Sequence, residues 1–79
     1  MVYGNEVSGN ALNGIVVTDD AAPELRENVF MENGKAGILY KRDAAGLAVA
    51  NTCAGNGSDV IGLELTGAGP DLTAAGCGL

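Results

Sequence analysis

Asp20 and Asp43 stand 23 residues apart, and so do Asp19 and Arg42. In a chain that repeats at that interval, each pair falls one above the other. Two stacked carboxylates have the chemistry to bind calcium or to share a proton as a catalytic pair. Calcium takes about six to eight oxygens, however, and no Asp-x-Asp cluster stands nearby to supply the rest. Loop residues that cap a turn and face water are the stronger account of Asp20 and Asp43. Tyr40, Lys41 and Arg42 form the basic-aromatic cluster of the chain, and an aromatic ring beside cations can stack on a sugar. Tyr40 is also in phase with Val17 and Leu63, which predicts a core residue. With no histidine in the chain, Cys-His catalysis and histidine-based metal sites are excluded. Ser8 and Ser58 have no base partner in the pattern, and no Gly-x4-Gly-Lys-Ser/Thr loop is present to cradle a phosphate.

The elements that must position these residues are set by a repeat. Asn5, Asn28 and Asn51 are spaced by 23, as are Asn10, Asn33 and Asn56, and Ile15, Ile38 and Ile61. Gly14 and Gly37 keep the same spacing, with Val60 in the third copy. A period near 23 with asparagine turns and a Gly-Ile step reads as a solenoid of β-coils. Residues 2–23 make the first coil, about Glu24 to Gly46 the second, and about Leu47 to Gly69 the third. A half-coil, Pro70 to Cys77, matches the segment from Pro23 at an offset of 47, so one residue is inserted, best placed within residues 66–69. Helix fails because Gly or Asn interrupts the apolar positions every few residues. Strands of three to five residues remain, each paired in parallel with its copy about 4.8 Å away. The asparagines are expected to form hydrogen-bonded ladders in left-handed turns, and the two glycines to supply conformational freedom before the strand.

Composition fits one small domain, residues 1–79. Thirteen glycines with only two prolines, and 47% apolar residues, suit tight turns better than disorder. A net charge of −6 argues against nucleic acid or an anionic membrane as partner. No apolar run is long enough to span a bilayer, and the first residues carry neither the basic nor the apolar region of a signal peptide. The sequence names no compartment. Cys53 and Cys77 fall in the column of Val7 and Phe30, where a disulfide is open to them. A buried free thiol packing as a small hydrophobe is the expected state.

The pattern Asn-x4-Asn-x3-Gly-Ile, followed by a polar loop and Pro-x-Leu-x-x-Asn, resembles the right-handed parallel β-helix repeat. That repeat is found in pectate-lyase-like folds and in carbohydrate-binding and sugar-hydrolase repeat domains. Asn28, Asn33, Gly37 and Ile38 match it fully, as do Asn5, Asn10, Gly14 and Ile15; Asn51 and Asn56 match, but Val60 departs at the glycine. The resemblance implies an all-β, right-handed, single-stranded solenoid of three to four coils. It implies a non-catalytic saccharide-binding or scaffold module but carries over no site residue; Tyr40, Arg42, Asp20 and Asp43 are ligand-binding candidates by their types and spacing, which also leave calcium open. The rival expectation is a small polysaccharide lyase or epimerase domain using Asp20, Asp43, Arg42 and a divalent ion. Both ends of the stack, with Val2, Val7, Ile15 and Val17 at one and Ile61, Leu63, Leu72, Cys77 and Leu79 at the other, are expected to expose apolar surface. A homo-oligomer, most simply a dimer joining like ends, follows from that.

Overall fold

A computed structural model describes residues 1–19, 21–65 and 69–77. Ten short strands wind as a parallel β-solenoid of about three turns, with no helix among the described residues. Each turn lays down three strands on three separate sheets. In the first turn these are β1 (Val2–Tyr3), β2 (Glu6–Ser8) and β3 (Asn13–Thr18). In the second they are β4 (Glu24–Arg26), β5 (Val29–Met31) and β6 (Ala36–Lys41). The third has β7 (Leu47–Val49), β8 (Thr52–Ala54) and β9 (Ser58–Leu63), and a fourth turn adds β10 (Asp71–Ala74). The sheet orders are β1-β4-β7-β10, β2-β5-β8 and β3-β6-β9, all parallel.

Register follows the period of 23 through β1, β4 and β7 and throughout the second sheet, whereas β10 pairs with β7 at Asp71↔Leu47 and Ala74↔Val49, with a register shift between them. Val2 pairs with Leu25 and Leu25 with Ala48, while Val7 pairs with Phe30 and Phe30 with Cys53. These alternate residues point inward and make the core. Leu25, Phe30, Ile38 and Tyr40 are each 0% exposed. Burying side chains of this size stabilises by about 1.5–3 kcal/mol each.

In the third sheet the register slips by one. Ile15 pairs with Ile38 as expected, but Ile38 pairs with Val60, and Ile61 stands beside Leu39 on the outer face. Val60 is 4% exposed, so it completes the isoleucine column in place of Ile61. Tyr40 stands between Val17 and Gly62, not Leu63, which is 50% exposed. The space that Gly62 leaves is taken by Leu65, whose Cδ1 lies 3.0 Å from where a Gly62 Cβ would be. The slip comes from a shorter corner: Asn33 precedes Ala36 by three residues, and Asn56 precedes its partner Ser58 by two.

Gly14 and Gly37 have ordinary negative-φ backbones, contrary to the expectation that they supply conformational freedom. They are needed for space. A Cβ on Gly14 would lie 2.6 Å from the Gly37 carbonyl oxygen, and one on Gly37 would lie 2.9 Å from that of Asp59. Asp59 occupies their column in the third turn. No described strand stacks beyond it, so a side chain is tolerated there.

Cys53 and Cys77 are joined in a disulfide across Cα atoms 5.5 Å apart, not held as free thiols. The common column brings them together, and the bond fastens the fourth turn to the third. Ala75, 1% exposed, belongs to the same buried cluster as Cys77. Leu79, expected at the open end, lies outside the described residues, as does most of the segment expected to hold the insertion.

Candidate functional site

The corners between sheets carry most of the buried polar chemistry. Asn28, Asn33 and Asn51 are 0%, 1% and 4% exposed, and an unpaired amide there would cost about 1–3 kcal/mol. None is unpaired. Asn28 Oδ1 accepts from Asn5 N–H at 3.0 Å and from Asn5 Nδ2 at 3.2 Å. Asn28 Nδ2 donates to Val2 O at 2.9 Å and to Asn51 Oδ1 at 3.1 Å, while its own N–H donates to Asn51 Oδ1 at 2.9 Å. The second ladder repeats this through Asn10, Asn33 and Asn56. The first ladder stops at Ala75, whose carbonyl accepts from Asn51 N–H at 2.8 Å.

The left-handed residue at each of these corners is the one before the asparagine. Gly4, Glu27 and Ala50 precede Asn5, Asn28 and Asn51 with φ of 65°, 50° and 55°. Gly9, Glu32 and Gly55 do the same at the second corner, with φ of 69°, 54° and 68°. Three side-chain-bearing residues thus adopt a conformation that ordinarily costs about 1–2 kcal/mol. Reversing the backbone there turns the asparagine side chain inward onto the ladder.

The residues picked out for chemistry gather at the third corner. Asp19, Arg42 and Glu64 stack in one left-handed column, with φ of 57°, 55° and 55°. Arg42 Nη1 lies 3.4 Å from Asp19 Oδ1, and Nε lies 4.0 Å from Glu64 Oε2, all with exposed side chains. Such pairs contribute at most about 1 kcal/mol. Asp43 follows Arg42 at the surface, its N–H donating to Glu64 O at 3.1 Å. Asp20 lies outside the described residues, so the stacked pair of Asp20 and Asp43 has no geometry to report. Tyr40 is close in sequence but turned into the core. Its ring has no face to offer a sugar, burial pushes its phenol up, and its hydroxyl has no partner among the described residues. Among the described residues no group of three or more His, Cys, Asp or Glu is placed to hold a metal.

A different cluster occupies the outer face of the four-stranded sheet. Tyr3 pairs in register with Arg26, so both project outward, and Tyr3 is 59% exposed. The Tyr3 hydroxyl donates to the Glu27 carboxylate, which holds the phenol above its ordinary range. Arg26 Nε donates to Glu24 on the same strand, and that bond with its charge raises the guanidinium further. One exposed ring, one guanidinium and two carboxylates therefore share a surface. The signal was present in the sequence, since Tyr3 and Arg26 are 23 apart, but it belongs to the outward column of the first strand. Comparison with protein-family models, with curated proteins and with solved structures finds no match to this chain.

Proposed function

We propose that this chain is a non-catalytic module of the parallel β-helix type that binds saccharide on the outer face of its four-stranded sheet. The exposed Tyr3 ring beside Arg26, Glu24 and Glu27 carries the reading. A sugar ring offers axial C–H bonds to an aromatic face and paired hydroxyls to charged groups able to bond twice. The cluster supplies both, with the guanidinium fork and the carboxylates in hydrogen-bonding roles that suit hydroxyls. The pectate-lyase-like resemblance points the same way, toward a scaffold within a carbohydrate-active protein.

A glycan array, followed by calorimetric titration of the hits, tests the proposal. Tyr3→Ala is expected to weaken binding at least tenfold, which corresponds to about 1.4 kcal/mol. Tyr40→Phe, a change in the core, is expected to leave affinity unchanged. No glycan bound, or binding indifferent to Tyr3→Ala, would remove the proposal.

A further inference from the structure

Charge is spread unevenly around the exposed Tyr3 ring. Tyr3 and Arg26 share one outward column of the four-stranded sheet, and Glu24 shares the other with Leu47 and Asp71. Glu24 and Asp71 stand two strands apart, roughly 10 Å. Glu27 is exposed at the corner that follows Arg26. Three carboxylates therefore face one guanidinium across this surface. The other cations of the chain, Lys35, Lys41 and Arg42, lie in or beside β6 on the third sheet.

The guanidinium is already engaged. Its Nε donates to Glu24 on the same strand, and the charge of Glu27 acts on it as well. Asp71 is held in its charged form, because Thr73 N–H and Oγ1 donate to its Oδ1 at 3.0 and 2.6 Å and lower its pKa. What the face offers a ligand is mostly acceptor: the second oxygens of the three carboxylates, against the Nη groups of Arg26. Acceptors of this kind need donated protons. A sugar hydroxyl donates one, whereas a uronate at neutral pH brings two further acceptor oxygens and a negative charge.

We infer that the ligand of this face is a neutral sugar, and that Glu24 sets this specificity by occupying the guanidinium an acidic sugar would need. The inference rests on the saccharide proposal and narrows its ligand class. Glu24, Arg26 and Glu27 place two carboxylates against one guanidinium, a sum of −1, so a uronate arrives against a like charge. Without the Glu24 charge the sum is zero, and the whole fork is free for a bidentate bond to a carboxylate. On an exposed face the discrimination is modest and sensitive to salt.

The test sets glucan, mannan and galactan oligosaccharides, each paired with the same chain oxidised to the uronate, against the full protein in calorimetric titrations. At about 0.01 M salt, where charges act over about 30 Å, the neutral member is expected to bind about threefold tighter or more. At about 1 M salt, where that range falls to about 3 Å, the two affinities should converge. Glu24→Gln should raise the uronate about threefold or more relative to its neutral partner, and Tyr3→Ala should weaken both. A uronate held as tightly as its neutral partner, and weakened by Tyr3→Ala, would overturn the neutral-sugar inference while the saccharide proposal stood. A ratio unmoved by Glu24→Gln would overturn the role given to Glu24. Binding of no member of the set would overturn the inference and the saccharide proposal together.

Discussion

Replacing Asn28 by alanine tests the ladder where it is most deeply buried. The side chain makes four hydrogen bonds, two accepted from Asn5 and two donated, to Val2 O and Asn51 Oδ1. At about 0.5–1.5 kcal/mol net per bond, the loss sums to about 2–6 kcal/mol, and the stranded partners hold it toward the middle, near 4 kcal/mol. Native domains have only about 5–15 kcal/mol in total, so Asn28→Ala should leave a barely folded protein. Asn5→Ala removes two donated bonds at an exposed position, and is expected to cost about 1 kcal/mol or less. Asn28→Asp refines the test. It keeps an acceptor for Asn5 but sets a carboxylate oxygen against Val2 O and Asn51 Oδ1, so at neutral pH it should destabilise at least as much as alanine. Acidification through its pKa should restore part of the loss, since a protonated carboxyl can donate again. Urea unfolding followed by circular dichroism, with the slope checked for constancy, gives the three values. Asn28→Ala within 1 kcal/mol of the parent, or equal in cost to Asn5→Ala, would refute the assignment of stability to buried amide stacking.

Removing the disulfide by Cys53→Ala with Cys77→Ala frees a loop closed across 24 residues. Chain entropy puts this at about 3.5 kcal/mol, or a fall in Tm of about 20 °C, measurable by thermal melts. Gly37→Ala should cost about 1–3 kcal/mol by pressing a methyl on the Asp59 carbonyl, whereas Asp59→Ala in the same column should be nearly neutral by urea titration. Spectrophotometric titration should show both tyrosines ionising above the usual range, Tyr3 through Glu27 and Tyr40 through burial. Because the folded pKa of Tyr3 is raised, its bond to Glu27 is fully present below the unfolded value and is lost as pH rises through the folded one. Glu27→Gln should lower the Tyr3 transition toward the ordinary value and leave the Tyr40 transition in place.

Solenoid architecture and both asparagine columns were legible because stacked turns repeat the same packing problem at a fixed interval, and the solution repeats with it. Equal arithmetic misplaces the third sheet. Val60 and Ile61 are both β-branched and apolar, so neither residue type reveals which one faces inward after a corner has lost a residue. The glycine column was visible and its cause was not, because close approach of a neighbouring carbonyl leaves no trace in the chain itself. Cys53 and Cys77 were placed in one column, but adjacency alone does not distinguish a thiol pair from a bond. At the candidate site, the period correctly set Asp19 over Arg42 and also set Tyr3 over Arg26. Only solvent exposure separates the ring that is available, Tyr3, from the one that is buried, Tyr40.

The three corners differ in how much editing they accept. From Tyr3 to Glu6, Arg26 to Val29 and Val49 to Thr52 the first corner spans the same three positions in every turn. The second gives up one residue in the last turn, between Asn56 and Ser58. At the third, Leu47 follows Lys41 by six positions, whereas Asp71 follows Leu63 by eight. An inward asparagine locks the first corner, since any change of length there would swing its amide off the ladder. Among the described residues the third corner has no such ladder, and it already absorbs a difference of two residues. New loops, whether acquired by descent or grafted by design, are thus channelled to the edge between the third sheet and the first. Functional diversity in a stack of this kind would accumulate along that one ridge, next to Asp19, Arg42 and Glu64, while the two asparagine edges keep the pitch.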